Sequence, residues 1–199
     1  MPKKYKKIWY IESSWTQRID TWIKLTDQDS VELEFKVKDK GALYWVYTTS
    51  SSDMSTALYC NTDWYIYTGS NNKLVVETEV SPNRLCDTVH YLGGVFYFDW
   101  TGSSYSSRNP FENVANCQIF TRYYNGAYWY NATARIAYFK IRRNGVLLLD
   151  LVPVQDQTTN EYWMYDMAHW WFYGNVWTGD LMWWEDIFEW RDGKPFGEY

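Results

Sequence analysis

Two kinds of side chain in this sequence have the types and spacing to do chemistry: paired carboxylates and clustered aromatics. Retaining cleavage of a glycosidic bond needs two carboxyl groups about 5 Å apart, one as nucleophile and one as acid and base. Glu32 and Glu34 share one strand face, and Glu77 and Glu79 share another. Alternating acids are also what the wet side of an amphipathic strand carries, and Glu32 and Glu34 are expected to face water. Near the carboxyl end, the run Glu185-Asp186-Ile187-Phe188-Glu189 gathers further acids. The chain has no Gly-x-Ser-x-Gly elbow, no phosphate-binding loop and no His-Glu-x-x-His helix. No catalytic residue is assigned, and a non-enzyme is expected.

The aromatic cluster is the stronger signal. Residues 122–131 read Arg122, Tyr123, Tyr124, Asn125, Gly126, Ala127, Tyr128, Trp129, Tyr130 and Asn131. Aromatic faces stack on sugar rings, and Arg or Asn supplies hydrogen bonds to hydroxyls. Arg122, Tyr123, Tyr124, Asn125, Tyr128, Tyr130 and Asn131 are therefore the candidate ligand-binding residues. Trp64 and Tyr67, in a second aromatic cluster, join them. If the segment is one extended strand, Tyr124 and Tyr128 lie on the same face. Alternating aromatics also serve as cross-strand packing, which is the competing role. For metals, Asp27, Asp29 and Asp53 lie in loop-like stretches and could offer oxygens to calcium, but no D-x-D-x-D-G spacing is present. No cofactor is expected, with calcium the single candidate. Two histidines cannot build a histidine-rich metal site.

Composition bounds the rest. At 199 residues, with 46% hydrophobic and 22% charged residues, the chain is a globular protein read as one domain over 1–199. A net charge of -5 argues against a nucleic-acid footprint. No apolar run is long enough to cross a membrane, so no membrane insertion is expected. The start, MPKKYKKIWYIESSW, is basic but has no apolar stretch behind it, so signal-peptide export is not expected. Cys60, Cys86 and Cys117 are an odd set without a CxxC pair and read as reduced core residues.

The elements that must position these groups are strands. In SVELEFKVK (30–38), Val31, Leu33, Phe35 and Val37 alternate with charged residues, a period of two. Similar segments run through 42–48, 57–60, 64–67, 73–80, 88–92, 95–99, 117–123, 132–142 and 146–154. Asn144-Gly145 between the last two is a hairpin signal, because both turn residues take positive φ. Pro153 points to an edge strand or a strand end. No helical periodicity persists for a dozen residues. The fold class is all-β, a two-sheet antiparallel sandwich of the jelly-roll kind.

Three stretches carry a resemblance to a known family. YIESSWTQRIDTWIKL (10–25) resembles the opening pattern YIES-G-TQ-IDTG of concanavalin A-like lectin/glucanase domains, the LamG-like jelly rolls of bacterial and phage proteins. RIAYFKIRRNGVLLLDLVPV (135–154) is similar to that family's paired strands, and EYWMYDMAHWWFYGNVWTGDL (161–181) to its closing GMYD and FYGN-GTG motif. Residues 26–134 carry no matched motif. The resemblance implies a concanavalin A-like sandwich that binds glycans, or a module of phage tail and adhesin-like proteins, without catalytic residues. In the family's laminarinase-like enzymes the carboxylates stand as E-x-D-x-x-E, a spacing that 185–189 lacks. The implied partner is a cell-surface glycan or polysaccharide, with other virion proteins beside it. The implied location is the virion, assembled in the host cytoplasm. A ligand-free structural jelly roll and a laminarinase-like hydrolase are the alternatives.

The same comparison isolates an anomaly. The chain has 14 Trp, and Trp15, Trp22, Trp163 and Trp177 stand where the family pattern has Gly. Trp100 and the pair Trp183-Trp184 also occupy turn-like positions. Turns favour Gly because it accepts positive φ without steric cost. Two readings stay open: surface aromatics on which sugars stack, or a codon such as UGA, read here as Trp, that means Gly in the source organism.

Overall fold

The structure is a computed structural model. It describes the chain except residues 48–54, 61–64, 71–72, 80–84, 93–94, 100, 105–112, 114, 125–126, 130, 177–180, 182–189, 192–193 and 196–199; several strand residues, among them 65–70, 73–79, 123, 124 and 129, are described in backbone only. In chain order the strands begin with β1 (Tyr5–Lys7), β2 (Ile11–Ser14), β3 (Ile19–Asp20), β4 (Asp29–Val37), β5 (Gly41–Tyr47) and β6 (Ser55–Cys60). They continue with β7 (Tyr65–Ser70), β8 (Lys73–Glu79), β9 (Leu85–Tyr91), β10 (Val95–Phe98), β11 (Thr101–Ser104), β12 (Gln118–Ile119) and β13 (Arg122–Tyr124). The last are β14 (Ala127–Trp129), β15 (Thr133–Arg143), β16 (Val146–Asp156), β17 (Tyr162–Asp166), β18 (Phe172–Tyr173), β19 (Trp190–Arg191) and β20 (Lys194–Pro195). No helix occurs among the described residues.

Two sheets hold nearly all of these strands. The larger runs β11-β10-β9-β4-β15-β16-β17-β18, with β2 pairing β15 and β1 pairing β16. The smaller runs β14-β13-β5-β6-β7-β8, with β12 between β3 and β5. Among the described residues, strand pairing is antiparallel apart from the parallel β13–β5 contact. The sheets face each other across one apolar core. Val31, Leu33 and Phe35 of β4 and Phe139 and Ile141 of β15 meet Leu43, Tyr44 and Val46 of β5 there, all fully buried. Tyr44 sets its ring edge-on to Phe139, centroids 5.9 Å apart. This is the all-β, two-sheet antiparallel sandwich expected from the alternation.

Local expectations fare unevenly. Asn144 (φ 49) and Gly145 (φ 79) form the tight turn between β15 and β16, as the dipeptide demands. The inner face of β4 is as expected, but its outer face is not the wet surface expected for Glu32 and Glu34. Glu34 is 1% exposed and Glu32 is half-buried. The cause is position in the sheet: β4 lies between β9 and β15, so its outward side chains are walled in by neighbours on both sides. Pro153 is likewise not at an edge, for β16 has β17 on one side and β15, then β1, on the other. Its ring falls where β15 gives way to β1, after the Leu151–Phe139 pair and before Val154–Lys7, and its carbonyl accepts from Ile8 N at 3.1 Å. A missing N–H harms least at such a changeover. Cys60, Cys86 and Cys117 are buried and outside any disulfide, and burial pushes the Cys117 thiol well above its ordinary range.

Candidate functional site

The outer face of the larger sheet carries the candidate site, and register alone assembles it. Because alternate residues share a face, pairing places Tyr97, Val89, Glu32 and Lys140 in one row across β10, β9, β4 and β15. The next row is Val95, Tyr91, Ser30 and Arg142. A third is Asp87, Glu34 and Tyr138. The rows are apolar and aromatic at the β9–β10 end and charged toward β15.

At the aromatic end, Val89, Tyr91, Val95 and Tyr97 line an open groove of about 520 Å³. Tyr91 and Tyr97 meet edge to face at 6.1 Å and 77°, and they are 48% and 41% exposed. Gly102 on β11, opposite Tyr97 in register, lets that ring lie down, since a Cβ there would come within 2.8 Å of it. At the polar end, Arg142 Nε donates to Glu32 Oε1 at 2.9 Å, and Lys140 stands 3.6 Å from Asp150. Tyr138 donates its hydroxyl to Asp87 Oδ1 at 2.8 Å. Burial first, then the Asp87 carboxylate, holds the Tyr138 phenol protonated far above its usual range. Two exposed rings over an apolar floor, beside fixed charges, suit a flat ligand with one C–H face and hydroxyls at its rim.

The segment singled out from the sequence has a different geometry. β13 pairs antiparallel with β14, with Tyr123 opposite Tyr128 and Tyr124 opposite Ala127. Tyr124 and Tyr128 therefore stand on two strands at adjacent register positions, not on one extended strand. Asn125-Gly126, between the strands, is the same dipeptide that marks the 144–145 turn. The Tyr128 ring already carries the Arg18 guanidinium, 3.2 Å from its centroid. Arg122 sits over Trp45 at 4.4 Å, and Tyr59 stacks on that indole at 4.7 Å. Asn131 Oδ1 accepts from Thr121 Oγ1 at 2.6 Å, and its carbonyl would collide with any Cβ at Gly41 (φ 144). In the described part of the segment, Tyr128, Arg122 and Asn131 are thus each in contact with another residue of the chain.

Tyr123, Tyr124 and Tyr67 are described in backbone only, within β13 and β7. Trp64, Asn125, Tyr130, Asp53, Trp100, Trp177, Trp183, Trp184 and the acidic run 185–189 lie outside the described residues. Of the calcium candidates, Asp29 is not in a loop. It opens β4, buried, and holds Arg143 through both oxygens at 2.8 and 2.9 Å while accepting from Thr26 N. Among the described residues no group of three or more His, Cys, Asp or Glu converges. Sequence reading missed the Tyr91–Tyr97 groove, because each tyrosine is a single outward residue on its own short strand. Only the Val95–Tyr91 register brings them together.

No protein-family model matches the chain, and no curated protein does. A solved structure described as the native heptameric SAP-like pentraxin from Limulus polyphemus is similar at 12% identity with a TM-score of 0.40. That likeness covers 68% of this chain and 70% of the other. At this level of identity and overlap, the site stands on this chain's own residues.

Proposed function

We propose that residues 1–199 form one non-catalytic carbohydrate-binding or adhesion module, with the Tyr91–Tyr97 groove as its sugar platform. The exposed edge-to-face tyrosine pair beside the Glu32–Arg142 pair carries this reading. The LamG-like stretches at 10–25, 135–154 and 161–181 support it, as does the sandwich. The partner is a cell-surface glycan or polysaccharide, and the setting a phage tail or receptor-binding apparatus in the virion. Binding is weak and reversible, since a shallow groove holds a sugar by stacking and a few hydrogen bonds.

A glycan array followed by titration tests this. The expected result is binding without release of reducing sugar, weakened about tenfold or more by Tyr91→Ala with Tyr97→Ala, a loss of about 1.4 kcal/mol. Tyr124→Ala with Tyr128→Ala should leave affinity unchanged; the reverse pattern moves the site to β13–β14. No binding to any glycan leaves a ligand-free structural domain. Sugar release abolished by Glu185→Gln restores the hydrolase reading.

A further inference from the structure

The backbone at the tryptophans separates the two readings of their abundance. Trp15 has φ 90, Trp22 φ 59 and Trp170 φ 66. A bulky residue at positive φ is a steric outlier, because its Cβ crowds the backbone carbonyl. None of these indoles is held by burial: they are 41%, 67% and 73% exposed. Strain of this kind persists where surrounding packing over-determines it, and exposed indoles supply little packing.

Two loops of the larger sheet act as an internal control. Between β16 and β17, Asn160 N donates to Asp156 O at 2.8 Å, Asp156 N to Glu161 O at 2.9 Å, and Thr158 N to the Asp156 carboxylate. Between β17 and β18, Trp170 N donates to Asp166 O at 2.8 Å, Asp166 N to Trp171 O at 2.8 Å, and Ala168 N to the Asp166 carboxylate. The two loops are the same turn built twice. The left-handed slot is filled by Asn160 (φ 61) in the first and by Trp170 in the second. Asn is suited to that slot after Gly; Trp is not. Trp170 was not among the positions that the family pattern flagged, so the backbone selects it independently.

Trp163 adds a different observation. Its indole N–H is buried with no hydrogen-bond partner among the described residues, and its ring fills the space over Gly174. A buried Trp N–H ordinarily finds an acceptor. Trp9 is the counterexample: half-buried, absent from the positive-φ set, and seated against Tyr10 and Ala137.

We propose that positions 15, 22, 163 and 170 are glycine in the protein as its own cells make it, and that one codon, UGA, has been read here as Trp. Trp9, by contrast, is a true tryptophan encoded by UGG. The exposed indoles at 15, 22 and 170 are then no part of any sugar platform. Tandem mass spectrometry of the protein isolated from its source cells tests this. The expected result is Gly at 15, 22, 163 and 170 and Trp at 9; Trp at those four positions, or UGG codons there, overturns it. Thermal unfolding gives a second readout on recombinant protein. Trp15→Gly, Trp22→Gly and Trp170→Gly together should raise Tm by several degrees, whereas Trp9→Gly should lower it. A lower Tm for the triple variant would show the indoles to be packing residues and would also overturn the proposal.

Discussion

His90 is buried inside the sandwich, its Nδ1 2.6 Å from the Tyr44 hydroxyl and its ring edge-on to Phe96. Burial depresses its pKa from 6.5 to about 3, so the folded protein holds it neutral. The unfolded chain takes up that proton below pH 6.5 and the folded chain does not, so stability is full above 6.5 and falls as pH drops toward 3. A second group acts lower down. Lys4, bonded to Asp156 at 2.8 Å, and the Thr158 N–H hold the Asp156 carboxyl at about 2, and its contribution fades only below about pH 4. Thermal melts between pH 6.5 and 4 should therefore report His90, with a slope equal to one proton bound on unfolding. His90→Gln should flatten that window; an unchanged slope would assign it elsewhere. Tyr44→Phe should cost about 1–2 kcal/mol, because a buried ring nitrogen loses its partner.

At the scale of one strand, β15 shows how placement sets the worth of an ion pair. Arg143 grips Asp29, whose side chain is fully buried, while Arg142 meets the half-buried Glu32. Arg143→Ala leaves a buried carboxylate without its cation and should cost about 2–3 kcal/mol by urea denaturation. Arg142→Ala should cost under about 1 kcal/mol. Leu33→Ala, in the core face of β4, should cost about 2–5 kcal/mol. Leu33 was legible in the sequence because alternation writes the inner face directly. Glu34 was not, because burial on an outer face depends on which strands lie alongside, and Asp87 and Tyr138 come from residues 87 and 138. The same limit hid the Tyr91–Tyr97 groove. The β13–β14 pairing was missed: the aromatic run was read as an extended segment, although the dipeptide Asn125-Gly126 within it, the same as Asn144-Gly145, was a signal that could have found the pairing.

For the whole molecule, the two sheets share one core, so the wall of that core depends on distant pairings. β4 pairs with β9 and β15, β2 with β15, and β1 with β16. Refolding from urea should be slow for the protein's size, in milliseconds to seconds, as for other sandwiches dominated by non-local contacts. A microsecond phase carrying the full signal would contradict that. A chain cut after residue 132 should show no cooperative melt, since β4 then keeps β9 but loses the partner on its other edge.

That pairing of β2 with β15 has a consequence during synthesis. Ile11–Ser14 leave the ribosome well before residues 133–136, on which they dock and which at ~5–20 residues per second arrive many seconds later. Through that interval β4 offers the unpaired backbone edge that β15 will later cover to any strand nearby, including one from a neighbouring nascent chain. The hazard for this domain is thus greatest before it is finished, and its yield in a cell should depend on how sparsely ribosomes are spaced on its message and on how many holdase chaperones wait at the exit tunnel.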